Sequence, residues 1–159
     1  MKIEIERKFL LKNDAWRSEV TSQSNYVQGY VASGNKAVVR IRTVDDRAYI
    51  TFKSSKSGMS RLEYELEIPF DDAQKMLKEF CESRIEKIRY ILKRDNFIWE
   101  IDEFYGENRG LVTAEIELSH EKDSFAIPQW LGKEITDIPQ YYNFALSLDP
   151  YSLWDKKHL

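Results

Sequence analysis

The feature of this 159-residue chain that most constrains its fold is an alternation of apolar and charged residues that returns in segment after segment. Over residues 3–9, two isoleucines and a phenylalanine share one parity, whereas Glu4, Glu6 and Lys8 share the other. Because successive side chains of a β-strand point to opposite faces, this period of two predicts strands with one apolar and one charged face. Eight segments follow the pattern, at residues 3–9, 26–31, 39–42, 50–53, 61–68, 87–90, 97–102 and 112–118.

Eight antiparallel strands can close into a barrel wide enough for side chains or one small ligand, and the apolar outer faces then need cover. Helical patterns predict that cover: Asp71 is expected to cap one helix, Asn13 to cap another that reaches Val20, residues 128–131 to form a helical turn and Pro139 to start a further helix. The predicted fold is therefore α+β, an eight-stranded antiparallel β-barrel with a charged lumen and flanking helices. We expect a single domain over residues 1–159.

Composition excludes several classes of protein. The formal net charge of −3 and a pI near 5.5 provide no basic field for nucleic acid or an anionic membrane surface. The lone Cys81 is typical of a reducing compartment, and the sequence has no signal peptide or membrane-spanning run, so a cytoplasmic protein is expected. The zinc and P-loop motifs CxxC, HExxH and GxxxxGK[ST] do not occur.

The direction of the charged faces is the open question, because a solvated sheet face is the simpler interpretation of any single strand. Solvated faces usually mix signs, yet here like charges stand together at i, i+2, as in Glu4 with Glu6 and Arg40 with Arg42. This segregation favours a lumen that binds ions. The carboxylates on the predicted charged faces are Glu4, Glu6, Glu63, Glu65, Asp102, Glu115 and Glu117, and the basic residues there are Lys8, Arg40, Arg42, Lys53, Lys87 and Arg89.

The carboxylates and the basic residues of the charged faces together predict a type of reaction. Mg²⁺ and Mn²⁺ take oxygen ligands and are commonly held by one or two carboxylates together with phosphate oxygens. Lys and Arg bind phosphate through charge-assisted hydrogen bonds, and six of them suit a polyphosphate better than a single phosphate. Metal-assisted hydrolysis of a small-molecule polyphosphate, with Mg²⁺ or Mn²⁺ as cofactor, is the simplest reaction that uses both sets.

The same residues carry a family resemblance. The sequence EIERK at residues 4–8 resembles the ExExK signature of the CYTH superfamily, the triphosphate tunnel metalloenzymes. Further blocks resemble the family in order along nearly the whole chain: QGY at 28–30, RIR at 40–42, TFK at 51–53, RLEYELEIP at 61–69, KIR at 87–89, WEIDEF at 99–104, AEIEL at 114–118 and WLGKEIT at 130–136.

The resemblance implies an antiparallel tunnel, a divalent metal and activity on triphosphate compounds. It implies metal-side carboxylates at Glu4, Glu6, Glu115 and Glu117. Phosphate-binding residues would be Lys8, Arg40, Arg42, Lys53, Arg61, Lys87, Arg89 and Lys133, with Lys133 reaching in near the tunnel mouth. Catalytic candidates are Glu4, Glu6, Lys8, Tyr30, Glu63, Glu65 and Asp102, with Lys8 and Tyr30 meeting across the bore. Arg7 and Glu103, which lie on the apolar parity, are expected to form surface ion pairs or to snorkel, and Glu67, Lys93 and Glu100 are expected in water at strand ends.

The substrate stays open among related compounds. The short chain has no evident extra segment for a base or thiazole pocket. Inorganic triphosphate is therefore the first candidate substrate, before nucleoside and thiamine triphosphates. An adenylate cyclase and a non-catalytic polyphosphate-binding module are the alternatives from other classes. A homodimer is left open, as is whether the tail from Trp154 closes the tunnel.

Overall fold

The computed structural model of the protein describes residues 1–33, 36–56 and 59–155. The end of the C-terminal tail, whose relation to the tunnel the sequence leaves open, therefore lies outside the described residues, at 156–159.

The fold is built on strands whose neighbours are all antiparallel, and the described residues form nine of them. They are β1 (Lys2–Leu11), β2 (Val20–Ser33), β3 (Ala37–Val44), β4 (Arg47–Ser54), β5 (Ser60–Ile68), β6 (Arg84–Arg94), β7 (Phe97–Phe104), β8 (Val112–Glu117) and β9 (Leu131–Glu134). The sheet order is β5-β4-β3-β2-β6-β7-β8-β1-β9, and β5 also pairs with β1. That pairing closes strands β1 to β8 into the predicted eight-stranded barrel, so the predicted fold class is confirmed.

A ninth strand, which the sequence analysis does not predict, follows a turn over residues 128–131, where a helical turn is expected. Leu131 donates its N–H to the Pro128 carbonyl in a turn, and the chain then runs along β1, where Glu134 pairs with Phe9. Because β5 pairs only with the first residues of β1, the far part of that strand needs another partner for its backbone groups. Gly132 permits the close approach, since a Cβ there would lie 2.8 Å from the Leu10 carbonyl oxygen.

The helices differ from prediction mainly at their ends. α1 (Phe70–Glu79) begins one residue before Asp71, which lies in its first turn rather than at the cap. Its buried residues Ala73 and Leu77 pack against Ile41 of β3, so α1 covers the outside of the barrel as expected. The segment after Pro139 divides into a 3₁₀ turn (Pro139–Tyr141) and α2 (Asn143–Leu148).

The helix predicted after Asn13 is shorter than expected. A 3₁₀ helix spans Ala15–Glu19, and Val20 already begins β2, so the prediction of a helix through Val20 is wrong. Asn13 does accept a hydrogen bond from the Ala15 N–H through its side chain. Two further 3₁₀ helices lie at Gly106–Asn108 and Tyr151–Leu153.

Apolar packing lies outside the barrel wall, which leaves the inside for charge. Trp16, Trp99 and Trp130 are fully buried in the largest outer cluster. On the same outer side, Arg7 pairs with Glu134 at 2.7 Å and a second pair joins Glu103 to Arg17. The surface ion pairs predicted for Arg7 and Glu103 are therefore confirmed.

Candidate active site

The barrel encloses a cavity of about 280 Å³. Its walls carry the side chains of the charged parity, as the alternation predicts, and among the described residues nine are basic and seven acidic. The basic residues are Lys2, Lys8, Arg40, Arg42, Lys53, Lys56, Arg61, Lys87 and Arg89, and the acidic ones are Glu4, Glu6, Glu63, Glu65, Glu100, Glu115 and Glu117. Such a density of charge in an enclosed space is tolerable only with pairing, hydration or a ligand.

Two predicted site residues do not reach this cavity. Lys133 is exposed on β9, which pairs with the outer edge of β1 instead of joining the barrel wall. Asp102 is fully buried behind the cavity wall, with both carboxylate oxygens occupied by Lys87 and Arg89. Neither side chain is therefore in place to contact a ligand directly. All other predicted site residues line the cavity.

Carboxylates gather where β1 and β8 run side by side. Glu6 stands opposite Glu117 in the register, and Glu115 is two residues along the same strand. Burial, together with the charges of Glu115 and Glu4, raises the pKa of Glu6 to about 8. In its protonated form Glu6 donates a hydrogen bond to Glu115. Among the cavity carboxylates of the described chain, Glu6 is the one without an ion pair.

The neighbours of Glu6 are neutralised differently. Burial opposes the charge of Glu4, but Lys53 at 3.1 Å and Arg61 at 3.2 Å outweigh it and lower the pKa of Glu4 to about 2. Burial likewise opposes the charge of Glu115, but Lys8, 3.1 Å away, holds the pKa of Glu115 well below its usual value. Glu4 and Glu115 are therefore ionised, whereas Glu6 between them stays neutral unless a further cation binds.

The basic wall lies on β3. Arg40 and Arg42 share one carboxylate oxygen of Glu65, at 3.6 and 3.3 Å. The Nε atoms of both arginines are buried without a hydrogen-bond acceptor in the described structure. Burial, with the charges of Arg40 and Arg89, lowers the pKa of Arg42 to about 10. Guanidinium groups with unused buried donors are suited to anionic oxygens.

Tyr26 is a residue that sequence reasoning passed over, although the alternation places it on the charged face of β2. Its ring centroid lies 5.0 Å from the guanidinium carbons of both Arg42 and Arg89, and 5.7 Å from Lys87 Nζ. The ring thus separates cations of β3 from cations of β6, and its negative faces offset their repulsion.

A buried charge cluster supports the basic side chains of β6. Arg89 makes two hydrogen bonds to Asp102, at 2.7 and 2.8 Å, and Lys87 reaches the same carboxylate at 2.7 Å. Burial lowers the pKa of Lys87 to about 8, against the opposing attraction of Asp102. Asp102 therefore acts on the cavity by positioning two basic groups.

Glu100 was expected in water and instead lines the cavity, so that expectation is wrong. It pairs with Arg89 and stands opposite Glu115 in the register of β7 and β8. Its parity, shared with Asp102, is the signal that could have found it. The strand extends beyond Glu100 in both directions, so this position is not a strand end.

The C-terminal segment completes the cavity. Asn143 accepts a hydrogen bond from Lys87 at 3.2 Å. The ring centroid of Tyr142 lies 4.6 Å from Lys56 Nζ. Phe144 packs edge-on against the ring of Tyr30. The Tyr30 hydroxyl accepts a hydrogen bond from Gln28 at 3.0 Å, and Lys8 pairs with Glu115. Lys8 is nevertheless close enough for its charge to act on the Tyr30 hydroxyl, although no hydrogen bond joins the two among the described residues. Tyr142, Asn143 and Phe144 are distant in sequence from the barrel strands, so no local sequence pattern predicts that they line the cavity.

Comparison with known proteins identifies the family. The sequence matches the CYTH domain over residues 2–149. The chain belongs to the CYTH domain family. A protein of Acetivibrio thermocellus named inorganic triphosphatase is 46% identical over 149 residues, which cover 93% of this chain and 95% of that protein. One of Nitrosomonas europaea with the same name is 33% identical over 151 residues, covering 91% and 97%.

Solved structures agree with the CYTH assignment. The crystal structure of an inorganic triphosphatase superposes with a TM-score of 0.67 at 30% identity, covering 93% of this chain and 96% of that one. A Pyrococcus horikoshii protein, at 19% identity and a TM-score of 0.60, covers 74% and 79% and shows the fold alone. Neither α1 nor α2 has the length and apolar character that crossing a bilayer requires.

CYTH membership implies a metal cofactor, and the donor chemistry of the cavity fits one. The described residues hold no group of three or more metal-ligating side chains already gathered as a site. Mg²⁺ does not need one, because it usually keeps several waters and takes one or two carboxylates plus substrate phosphates. Glu6 and Glu115 supply such a pair, and the raised pKa of Glu6 marks it as a carboxylate that lacks a cation.

Proposed function

We propose that this protein hydrolyses inorganic triphosphate to pyrophosphate and phosphate in a reaction that depends on Mg²⁺ or Mn²⁺. The observation that carries the proposal is one cavity whose basic wall has unused guanidinium donors and whose opposite wall has a carboxylate pair short of a cation. The two relatives named inorganic triphosphatase, aligned over nine-tenths of the chain, support the same substrate.

The size and lining of the cavity favour the inorganic compound over larger triphosphates. Pockets for drug-sized ligands span roughly 300–1,000 Å³, and this one measures about 280 Å³. Sixteen of its 22 described lining residues are charged, which suits phosphate oxygens and leaves little apolar surface for a base or thiazole ring. The substrate is then bound through its phosphates alone.

The mechanism divides the work between the two walls. Arg40 and Arg42 bind phosphate oxygens through their free Nε donors, and Lys53 adds a third cation beside them. Glu6 and Glu115 would hold the metal ion, which when bound neutralises phosphate charge and lowers the pKa of water. Water attacks a terminal phosphorus, the bond to the bridging oxygen breaks, and pyrophosphate leaves while one proton is released.

The reaction needs a group that accepts the proton of the attacking water and a group that donates a hydrogen bond to a phosphate oxygen, both in the same cavity. Glu63 and Glu65 line it as carboxylates, and one of them would take the proton of the attacking water. Tyr30 keeps its proton, since burial raises its pKa, and its hydroxyl accepts from Gln28, which leaves the O–H hydrogen free to donate to a phosphate oxygen.

The direct test is release of phosphate and pyrophosphate from inorganic triphosphate, ATP and thiamine triphosphate, compared with Mg²⁺, with Mn²⁺ and with chelator. We expect metal-dependent hydrolysis with kcat/KM highest for inorganic triphosphate. Cyclic AMP from ATP would indicate an adenylate cyclase instead. Tight binding of triphosphate without turnover would indicate a binding module.

Lys87 predicts a pH dependence of substrate binding. With its pKa lowered to about 8, the free protein loses this positive charge above that pH, so binding of a polyanion must be coupled to proton uptake. We expect KM for inorganic triphosphate to rise above pH 8 by up to about tenfold per pH unit. Lys87→Arg keeps the charge and should flatten this rise. Identical pH profiles of KM in the two proteins would contradict the role of Lys87.

The position of the Tyr26 ring between cations predicts that KM depends on this ring. In Tyr26→Leu the guanidinium groups of Arg42 and Arg89 lose the ring that separates them, and we expect KM to rise about fivefold, equivalent to about 1 kcal/mol, with little change in kcat. Tyr26→Phe keeps the ring face and should retain the original KM. A KM that rises equally in both variants would assign the effect to the hydroxyl and contradict the role of the ring.

A further inference from the structure

Within residues 1–33, 36–56 and 59–155, the outer face of the barrel has no cover at β5 and its two neighbours. Elsewhere the outer wall packs against α1, the 3₁₀ helix at 15–19 or the segment around Trp130. On β5, β1 and β4, five large apolar side chains remain 41–65% exposed in the structure that the described residues form. They are Ile3 of β1, Phe52 of β4, and Leu62, Tyr64 and Leu66 of β5.

The register places these side chains side by side. Ile3 pairs with Leu62 across β1 and β5, and Phe52 pairs with Tyr64 across β4 and β5. Leu62, Tyr64 and Leu66 follow one another on a single face of β5, since residues two apart share a face. The five form one continuous patch, the β5 patch, with Tyr64 at its centre.

The area of the β5 patch is what a small symmetric interface requires. With roughly 200 Å² for a fully exposed large apolar side chain, the exposed fractions leave about 500 Å² of apolar surface. Two such patches placed face to face bury about 1,000 Å², the threshold for a specific interface before any polar rim is added.

The chemistry of the β5 patch determines its partner. Three charged residues of β5, Arg61, Glu63 and Glu65, have the opposite parity and line the cavity, and Glu67 of the same parity pairs with Arg47. None of the five side chains of the patch is therefore charged. An uncharged apolar face is complementary to itself, whereas a partner recognised by charge would find nothing to pair with. We propose that the β5 patch is the interface of a homodimer, in which a second copy of this chain covers it about a two-fold axis near Tyr64.

The test is the molar mass of the full chain in solution at micromolar concentration, by light scattering or sedimentation equilibrium. We expect the wild type to have twice the chain mass of 18.9 kDa. Tyr64→Glu places two charges face to face at the axis, and Leu62→Lys buries an unpaired charge on each side of it, so both variants should give monomers. Ile127→Glu, at an apolar position that is 67% exposed in the segment before Trp130, should remain dimeric.

Folding and activity provide the controls. Both β5 variants should keep the wild-type circular dichroism spectrum and hydrolytic activity, because their side chains face away from the cavity. A third variant, Tyr64→Cys in a Cys81→Ser background, should form an interchain disulfide on oxidation, since a two-fold axis near this residue brings its two copies together. A monomeric wild type would overturn the proposal and leave the patch to another partner. A dimer that survives both charge variants would also overturn it.

Discussion

Replacing Glu6 with glutamine is expected to reduce kcat by about a hundredfold or more and at the same time to make the protein more stable. The loss of activity follows from the loss of a carboxylate beside Glu115 where a metal ion would be held. The gain in stability follows from burial and the charges of Glu115 and Glu4, which raise the pKa of Glu6 to about 8 in the folded protein. Between its ordinary pKa of 4.5 and 8, folding must take up a proton at this carboxyl, and the glutamine removes that cost.

The size of this gain in stability depends on pH, and the dependence can be measured. At pH 7 the free energy of unfolding should rise by about 3 kcal/mol in Glu6→Gln. Below pH 4.5 the carboxyl is protonated in both the folded and the unfolded chain, so the gain should vanish there. Urea unfolding of the metal-free proteins at the two pH values measures the difference.

Glu115→Gln is the matched control. It should lose activity equally, but it should also lose stability, because Lys8 at 3.1 Å and Arg89 at 3.8 Å would be left without this counter-charge. Full activity in Glu6→Gln would contradict its place at the metal. Equal losses of stability in the two variants would contradict the unpaired state of Glu6.

Asp102→Asn is expected to produce the largest loss of stability, about 3–5 kcal/mol, because it removes one partner of a buried charge cluster. Asp102 is fully buried, the side chain of Lys87 is 2% exposed, and the five-donor fork of Arg89 makes two hydrogen bonds to this carboxylate. Without it, two buried cations face each other with too little negative charge.

The same variant separates a positioning role from direct participation in chemistry. Inorganic triphosphate supplies negative charge to the cavity, so it should raise the melting temperature of Asp102→Asn more than that of the wild type. Glu103→Gln is the control on the opposite face of β7, where a half-exposed pair with Arg17 makes a loss within about 1 kcal/mol the expectation. Wild-type stability in Asp102→Asn, together with a large loss of kcat, would favour direct contact with substrate over positioning.

The barrel and most of its lumen could be predicted because strand alternation is a local property. Once Glu4, Glu6 and Lys8 occupy one parity of β1, the pleat places all three on one face, whatever the rest of the chain does. The concentration of like charge then indicates that this face is enclosed. Glu100 follows the same rule, and its position within β7 places it on the face of Asp102. The expectation of a strand end in water is wrong here because local patterns define the ends of strands least well.

What could not be predicted depends on contacts between distant segments. Lys133 lies in a block that resembles the family, yet its strand joins β1 from outside, because the far half of β1 has an unpaired edge there. The wall formed by Tyr142 and Asn143 depends on where the C-terminal segment docks. Asp102 has the parity of the lumen, but its two basic neighbours cover it completely, and such burial follows from packing in three dimensions.

The central claim is that a triphosphate lies in the barrel with its phosphates on the arginines of β3 and a metal ion at Glu6 and Glu115. A crystal of Glu65→Gln or of the wild type, grown with Mn²⁺ and inorganic triphosphate or a slowly hydrolysed analogue, tests this directly through anomalous scattering from manganese. We predict an anomalous peak within coordination distance of Glu6 and Glu115, and phosphate density against Arg40 and Arg42. Manganese and phosphate bound only outside the barrel, with the cavity filled by water, would contradict the account.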